Sequence, residues 1–252
     1  MTFDVAADSY GRFMGRWSEP LAGELVGLVR PEPGQRALDV GCGPGALTAA
    51  LVDLLGAETV SAIDPSAPFV AANRERFPDV DVRQGAAESL PFDDDVFDLV
   101  LAQLVVHFMA DPVAGLREMG RVAKPGGVVG ASVWDHGGGR GPLSPFWAAV
   151  NDLRPEVSGE GKLSGSQQGG LARLFTDAGL SSVEETEQAV TIGFASFEDW
   201  WEPFTLGVGP AGDYVARLEP PDRDAVRDRC RERLGAGAFE LTSVAWTATA
   251  RP

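Results

Sequence analysis

The 252 residues include 37 Asp+Glu against 21 Lys+Arg, a formal net charge of -16, with 44% hydrophobic and 23% charged residues. The length suits one α/β domain with an elaboration, and the composition is that of an ordinary globular core. A surface of this sign repels phosphate backbones and anionic membranes, so neither nucleic acid nor membrane is an expected partner. Two cysteines, Cys42 and Cys230, are too few for a disulfide framework, and no Cys or His cluster has metal-ligand spacing, so no metal is expected. Residues 1–17 lack the basic start and apolar stretch of a signal peptide, and no apolar run approaches the ~18 residues of a membrane span. A cytoplasmic setting follows as the expectation.

In chain order, short apolar runs alternate with helical periodicity, the pattern of a parallel sheet covered by helices. Strands are predicted at Arg36–Val40, Thr59–Ile63, Val80–Arg83, Phe97–Leu101 and Val128–Val133. Helices are predicted at Glu19–Val29, Gly45–Leu55, Ser66–Phe77 and Pro112–Val122. Ser66 and Asp111 each stand where a cap should, with a proline in the first turn that follows. Lys124-Pro125-Gly126-Gly127 reads as a helix stop and a turn into the next strand. Two glycine-rich stretches, within 135–170, read as lid-like loops. Ser182–Phe194 and Phe239–Ala248 alternate like an antiparallel strand pair, with a helical insertion over 196–234 between them. The sign-alternating run Arg227 to Arg233 reads as a salt-bridged helix face.

The chemistry gathers around Leu38-Asp39-Val40-Gly41-Cys42-Gly43-Pro44-Gly45, between a predicted strand and a predicted helix. Glycines there let the backbone turn sharply and approach a ligand. The spacing also satisfies a dinucleotide fingerprint. Asp39 precedes the first glycine, where a carboxylate can orient a ligand's amino group. Asp64 ends the second strand, where a carboxylate can accept both hydroxyls of a ribose.

Leu38–Gly45, Ile63-Asp64-Pro65-Ser66, Gly85–Phe92, Phe97-Asp98-Leu99-Val100 and Lys124–Gly127, in this order over 36–133, resemble the class I methyltransferase family, particularly its small-molecule and quinone-biosynthesis branch. The resemblance implies a Rossmann-like, seven-stranded, mostly parallel sheet with helices on both faces and a helical cap, in one domain over 1–252. It implies S-adenosyl-L-methionine as cofactor, with Gly41, Cys42, Gly43 and Gly45 embracing the methionine part. Asp64, with Pro65 and Ser66 beside it, would hold the ribose, and the Ala86–Ala87 backbone would meet adenine. Asp39 would support the loop or the amino group, and Gln103 would lie near the methionine moiety. Tyr10 or Arg16, in a segment that resembles one folding over the cofactor, would meet its carboxylate. The family often has Asp where this chain has Ala86, so adenine would be held by backbone and packing.

Methyl transfer is an in-line displacement that needs acceptor and methyl held at ~3–3.5 Å in a dry site, with a base only for a protonated acceptor. His107, past the fourth strand, is the candidate base, since an imidazole of pKa ~6.5 suits that task. His136 lies in a loop, and Cys42 reads as a small side chain in a tight turn. One or two of Phe146, Trp147, Trp200, Trp201 and Phe204 would line the acceptor pocket. The expected acceptor is a small organic molecule. The rivals are an NAD-dependent oxidoreductase and a relative that binds the cofactor without transferring methyl.

Overall fold

The computed structural model describes residues 11–252. Their strands form a seven-stranded sheet in the order β3-β2-β1-β4-β5-β7-β6. The strands are β1 (Ala37–Val40), β2 (Val60–Asp64), β3 (Asp81–Gln84), β4 (Phe97–Gln103), β5 (Ala123–Trp134), β6 (Ser181–Phe194) and β7 (Phe239–Arg251). β1 to β5 pair in parallel, while β7 runs antiparallel to both β5 and β6. The sheet is therefore mostly parallel with an antiparallel edge, as expected.

The central strands are apolar on both sides because helices cover both faces. Leu38, Val40, Val100 and Ala102 share one core cluster with α4 (Pro112–Val122) and α6 (Gly170–Asp177). Their neighbours Ala37, Leu99 and Leu101 share another with α1 (Arg16–Val29), α2 (Ala46–Leu55) and α3 (Ala67–Arg76). Successive side chains of a strand point to opposite faces, so each strand feeds both clusters.

Local chemistry sets the helix starts. Asp111 accepts a hydrogen bond from the Ala114 N–H at 3.0 Å, with Pro112 in the first turn of α4. At α3 the anchoring carboxylate is Asp64, which accepts from the Ser66 N–H at 2.8 Å. β5 starts earlier than its sequence suggests: Ala123 pairs with Phe97, and the register then shifts so that Val128 pairs with Leu99. The Lys124–Gly127 turn is thus a bulge within the strand, anchored where the Lys124 ammonium meets Asp98 at 2.9 Å.

A third cluster forms the cap. It joins Phe13, Trp17 and Trp134 to α5 (Ser144–Leu153), α7 (Phe197–Trp201), α8 (Gly209–Arg217) and α9 (Pro220–Leu234). α9 buries Val226 and Cys230, while Arg229 and Arg233 each reach Asp152 of α5 at 2.7 Å. Its sign-alternating sequence is accordingly an ion-paired face.

The candidate cofactor and acceptor cleft

β1 is flanked by β2 on one side and β4 on the other, so the connections leave it in opposite directions and a crevice opens beyond the strand ends. A cavity of about 550 Å³ lies there, within the ~300–1,000 Å³ usual for ligand clefts. One half is built by the β1–α2 loop, the end of β2 and the stretch after β3. Of the residues singled out in the sequence, Asp39, Gly41, Cys42, Gly43, Asp64, Pro65, Ser66, Ala86, Ala87, Gln103 and His107 all line it.

The loop is shaped by close approach. Gly41 has φ +72°, and a Cβ there would lie 2.4 Å from a Val105 methyl, so the segment after β4 rests directly on the backbone. Leu104, in that segment, carries φ +61° without being glycine, a left-handed conformation that costs on the order of 1 kcal/mol or more and clusters at ligand clamps. Gly45 stands outside the cleft lining: it precedes α2 and faces Phe77 and Asn73. Its requirement is packing against α3, which corrects the expectation that it meets a ligand.

Asp39 is 1% exposed and accepts a 2.7 Å hydrogen bond from the Thr48 hydroxyl. Asn73 donates to that same hydroxyl at 3.1 Å, so β1, α2 and α3 meet through one buried polar chain. Burial pushes the Asp39 carboxyl up to about 7. Asp64 braces the loop directly, accepting from the Gly43 N–H at 2.9 Å through one oxygen and from the Ser66 N–H through the other. Burial raises its pKa too. Each oxygen keeps a lone pair, so a ribose would add to these bonds.

Gln103 donates to the Ser18 carbonyl at 2.8 Å, tying β4 to α1, while its own carbonyl oxygen is buried in the cleft wall without a partner. An unpaired buried acceptor costs ~1–3 kcal/mol and is satisfied by a donor such as an ammonium. Cys42 is buried beside Asp39 and Asp64, and burial pushes its thiol well up, so it stays protonated and is no nucleophile.

Two expectations are corrected. Arg16 is absent from the cleft: its guanidinium is held by Asp199 at 2.8 and 3.2 Å and lies over the Phe194 ring at 4.7 Å. A charge so paired serves the cap. Tyr10 lies outside the described residues. His107, 9% exposed at the cleft wall, is largely buried, and burial, aided by nearby His136, pulls its pKa down to about 3, so it is a neutral imidazole and a poor proton acceptor at neutral pH. Its Nδ1 is buried without a partner.

The aromatic five are also redirected. Phe146, Trp147, Trp200, Trp201 and Phe204 pack against one another in the cap, for example Phe146 stacked on Phe204 at 4.8 Å and Trp147 edge-on to Phe146 at 5.0 Å, and none lines the cleft. The other half of the cleft is walled by Phe13, Met14, Leu104, Phe108, Trp134, Leu143 and the start of α8 at Val208, Gly209 and Pro210. Two titratable side chains stand in that wall, His136 and Glu160. Burial pulls His136 down to about 4 and pushes Glu160 up to about 7. Nothing in the sequence marks Glu160, because no pattern links a glutamate in a Gly/Ser-rich stretch to a strand end 120 residues earlier.

The residues fit a cationic cofactor. Among the described residues no Lys or Arg lines the cleft, while Asp39, Asp64, Glu88 and Glu160 do. A sulfonium and an α-ammonium suit such a field, and a pyrophosphate does not. Fold and site together define an α/β protein with a nucleoside-type cleft at its switch point.

Residues 38–130 match the methyltransferase domain family. The demethylmenaquinone methyltransferase of Renibacterium salmoninarum is 35% identical over 134 residues, 53% of this chain and 54% of that one. An uncharacterized protein of Mycobacterium tuberculosis is 28% identical over 246 residues, 92% of this chain and 87% of that one. The first curated relatives are matched over about half of their length. A phosphoethanolamine N-methyltransferase of Haemonchus contortus, solved with phosphomonomethylethanolamine and S-adenosylhomocysteine, superposes with a TM-score of 0.59 at 17% identity. That likeness covers 98% of this chain and 57% of that one, and is a likeness of fold. The methyltransferase domain match thus falls on the stretch that runs from β1 into β5, the part of the chain that builds the cofactor-side loops of the cleft.

Proposed function

We propose that the protein transfers a methyl group from S-adenosylmethionine to a small organic acceptor. The observation that carries the reading is the single continuous cleft, acidic and loop-braced in one half and apolar in the other. In the first half Asp64 and the Gly43 backbone would hold the ribose, Ala86–Ala87 the adenine, and the Gln103 carbonyl with Asp39 the α-ammonium. The cofactor supplies an electrophilic methyl group on a sulfonium. The chain's own work is to dry and orient: Phe13, Trp134 and Leu143 would exclude water from the second half, with Leu104 in the same wall.

An NAD-dependent oxidoreductase would present a pyrophosphate to Asp39 and Asp64 with no described cation in the lining to offset it. The deciding experiment is calorimetric titration with S-adenosylmethionine, S-adenosylhomocysteine and NAD in parallel. Binding of the two sulfur compounds alone is the expected result, whereas binding of NAD alone would overturn the proposal. Tight cofactor binding with no turnover across an acceptor panel would support a binding protein of the same fold.

A further inference from the structure

Among the described residues Glu160 is the one carboxylate in the apolar half of the cleft, and it stands on a short 3-10 turn, Glu160–Lys162, far in sequence from the cofactor motifs. It is 6% exposed. The Trp147 indole N–H donates to its Oε2 at 2.8 Å, which locks the side chain in one orientation. Oε1 has no hydrogen-bond partner among the described residues, and no Lys or Arg pairs with this carboxylate there. The turn itself is tightly seated. A Cβ on Gly159 would lie 2.9 Å from the Trp147 ring, and one on Gly161 would lie 3.4 Å from the His136 carbonyl. Gly137 N–H donates to the Ser166 carbonyl at 2.7 Å, joining this loop to the one that carries His136. The carboxylate is therefore presented by a packed wall.

A buried carboxylate with one oxygen satisfied and no counter-ion is costly unless a ligand completes it. The rest of the wall carries no charge: its other side chains are mostly apolar, and the imidazoles of His107 and His136 are neutral. Building on the methyltransferase reading, we propose that Glu160 is the acceptor-binding residue, and that the acceptor is an apolar molecule bearing a basic amine whose N–H groups meet Glu160 Oε1. Phe13, Trp134 and Leu143 would contact its apolar part. A carboxylate or phosphate on the acceptor would be repelled by the same oxygen.

The test uses three probes of one shape, 1-naphthylmethylamine, 1-naphthylmethanol and 1-naphthoic acid, titrated into the full chain at pH 8 with and without S-adenosylhomocysteine. The amine is expected to bind about tenfold or more tighter than the alcohol, since an ion-paired hydrogen bond is roughly twice as strong as a neutral one. The acid is expected not to bind. Glu160→Gln keeps a carbonyl oxygen for Trp147 and is expected to erase the amine preference while leaving S-adenosylhomocysteine affinity within about twofold. Equal or reversed affinities in the native chain, no binding of any probe, or a preference that survives in E160Q would each overturn the proposal.

A second measurement needs no variant. From pH 8 to 5.5 the amine's affinity for the native chain should fall about tenfold or more as Glu160 takes a proton, while the alcohol's stays level. His107 and His136 stay neutral over that range, and Asp39, which also titrates near 7, faces the cofactor half. An amine affinity that does not fall counts against the proposal. Loss of S-adenosylhomocysteine binding with the amine preference intact would count against the cofactor reading alone.

Discussion

Asp64 braces the loop at the cleft, its oxygens accepting the Gly43 and Ser66 N–H groups, and in the proposed reading it would also hold the ribose. Asp64→Ala removes the loop brace and two potential ribose bonds together, and should weaken S-adenosylhomocysteine binding by about 2–4 kcal/mol in a calorimetric titration. Unchanged affinity would sink the ribose assignment. His107 illustrates how burial overrides an intrinsic property: its ordinary pKa suits a base, but enclosure pulls it to about 3 and leaves it neutral. Glu160 is the converse, a common surface residue that burial raises to about 7. Identity alone assigns neither role.

At the scale of elements, the cap is held to the sheet by aromatic stacking and by ion pairs at its edge. The Arg16–Asp199 pair ties the start of α1 to α7, but both side chains remain about one-third exposed, at 34% and 35%. Exposed pairs of this kind contribute ~0–1 kcal/mol. Arg16→Ala should therefore lower stability in denaturant melts by less than about 1 kcal/mol. Because the guanidinium lies outside the cleft, S-adenosylhomocysteine affinity should stay unchanged. A loss of affinity above about tenfold, equivalent to 1.4 kcal/mol, would return Arg16 to the cofactor site. The helix starts show which local signals survive folding. Asp111 caps α4 as its sequence suggests, whereas α3 takes its anchor from Asp64 across a turn.

For the whole molecule, two opposed pairs of buried groups shape the dependence of stability on pH. Burial raises Asp39 from 3.8 and Glu160 from 4.5, both to about 7, so the stability they contribute is full below those starting values and is lost as pH rises toward 7. Burial lowers His107 and His136 from 6.5 to about 3 and about 4, so their contribution is full above 6.5 and is lost as pH falls toward those values. Between about pH 5 and pH 6 each group changes stability by ~1.4 kcal/mol per pH unit, two in each direction, so these four cancel. Glu160→Gln removes one acid from the balance. Relative to the native chain, its stability in urea melts should rise by about 1.4 kcal/mol per pH unit over that range. An identical slope in the two proteins would show that Glu160 is not a buried, protonated group there.

The order of elements and the cofactor half of the cleft were legible in the chain because their determinants are local. Alternating apolar runs place β1, β2 and β4; the glycines of 41–45 require a turn; Asp39 and Asp64 sit at strand ends by position alone. Residues joined by a strand and its following loop stay together whatever the rest of the molecule does. The acceptor half had no such signature. Its wall is assembled from the stretch before α1, the end of β5, the 158–170 loop and the start of α8, segments that meet only after the sheet and cap have closed. Of the five aromatics from which one or two were expected there, four are buried together in the cap and Trp147 packs half-buried against them, because packing on one another removes more apolar surface from water than lining an open cleft. Sequence determined where a nucleoside-type ligand could sit. Tertiary packing decided which side chains face it, and with what charge, because burial and proximity exist only in the folded chain.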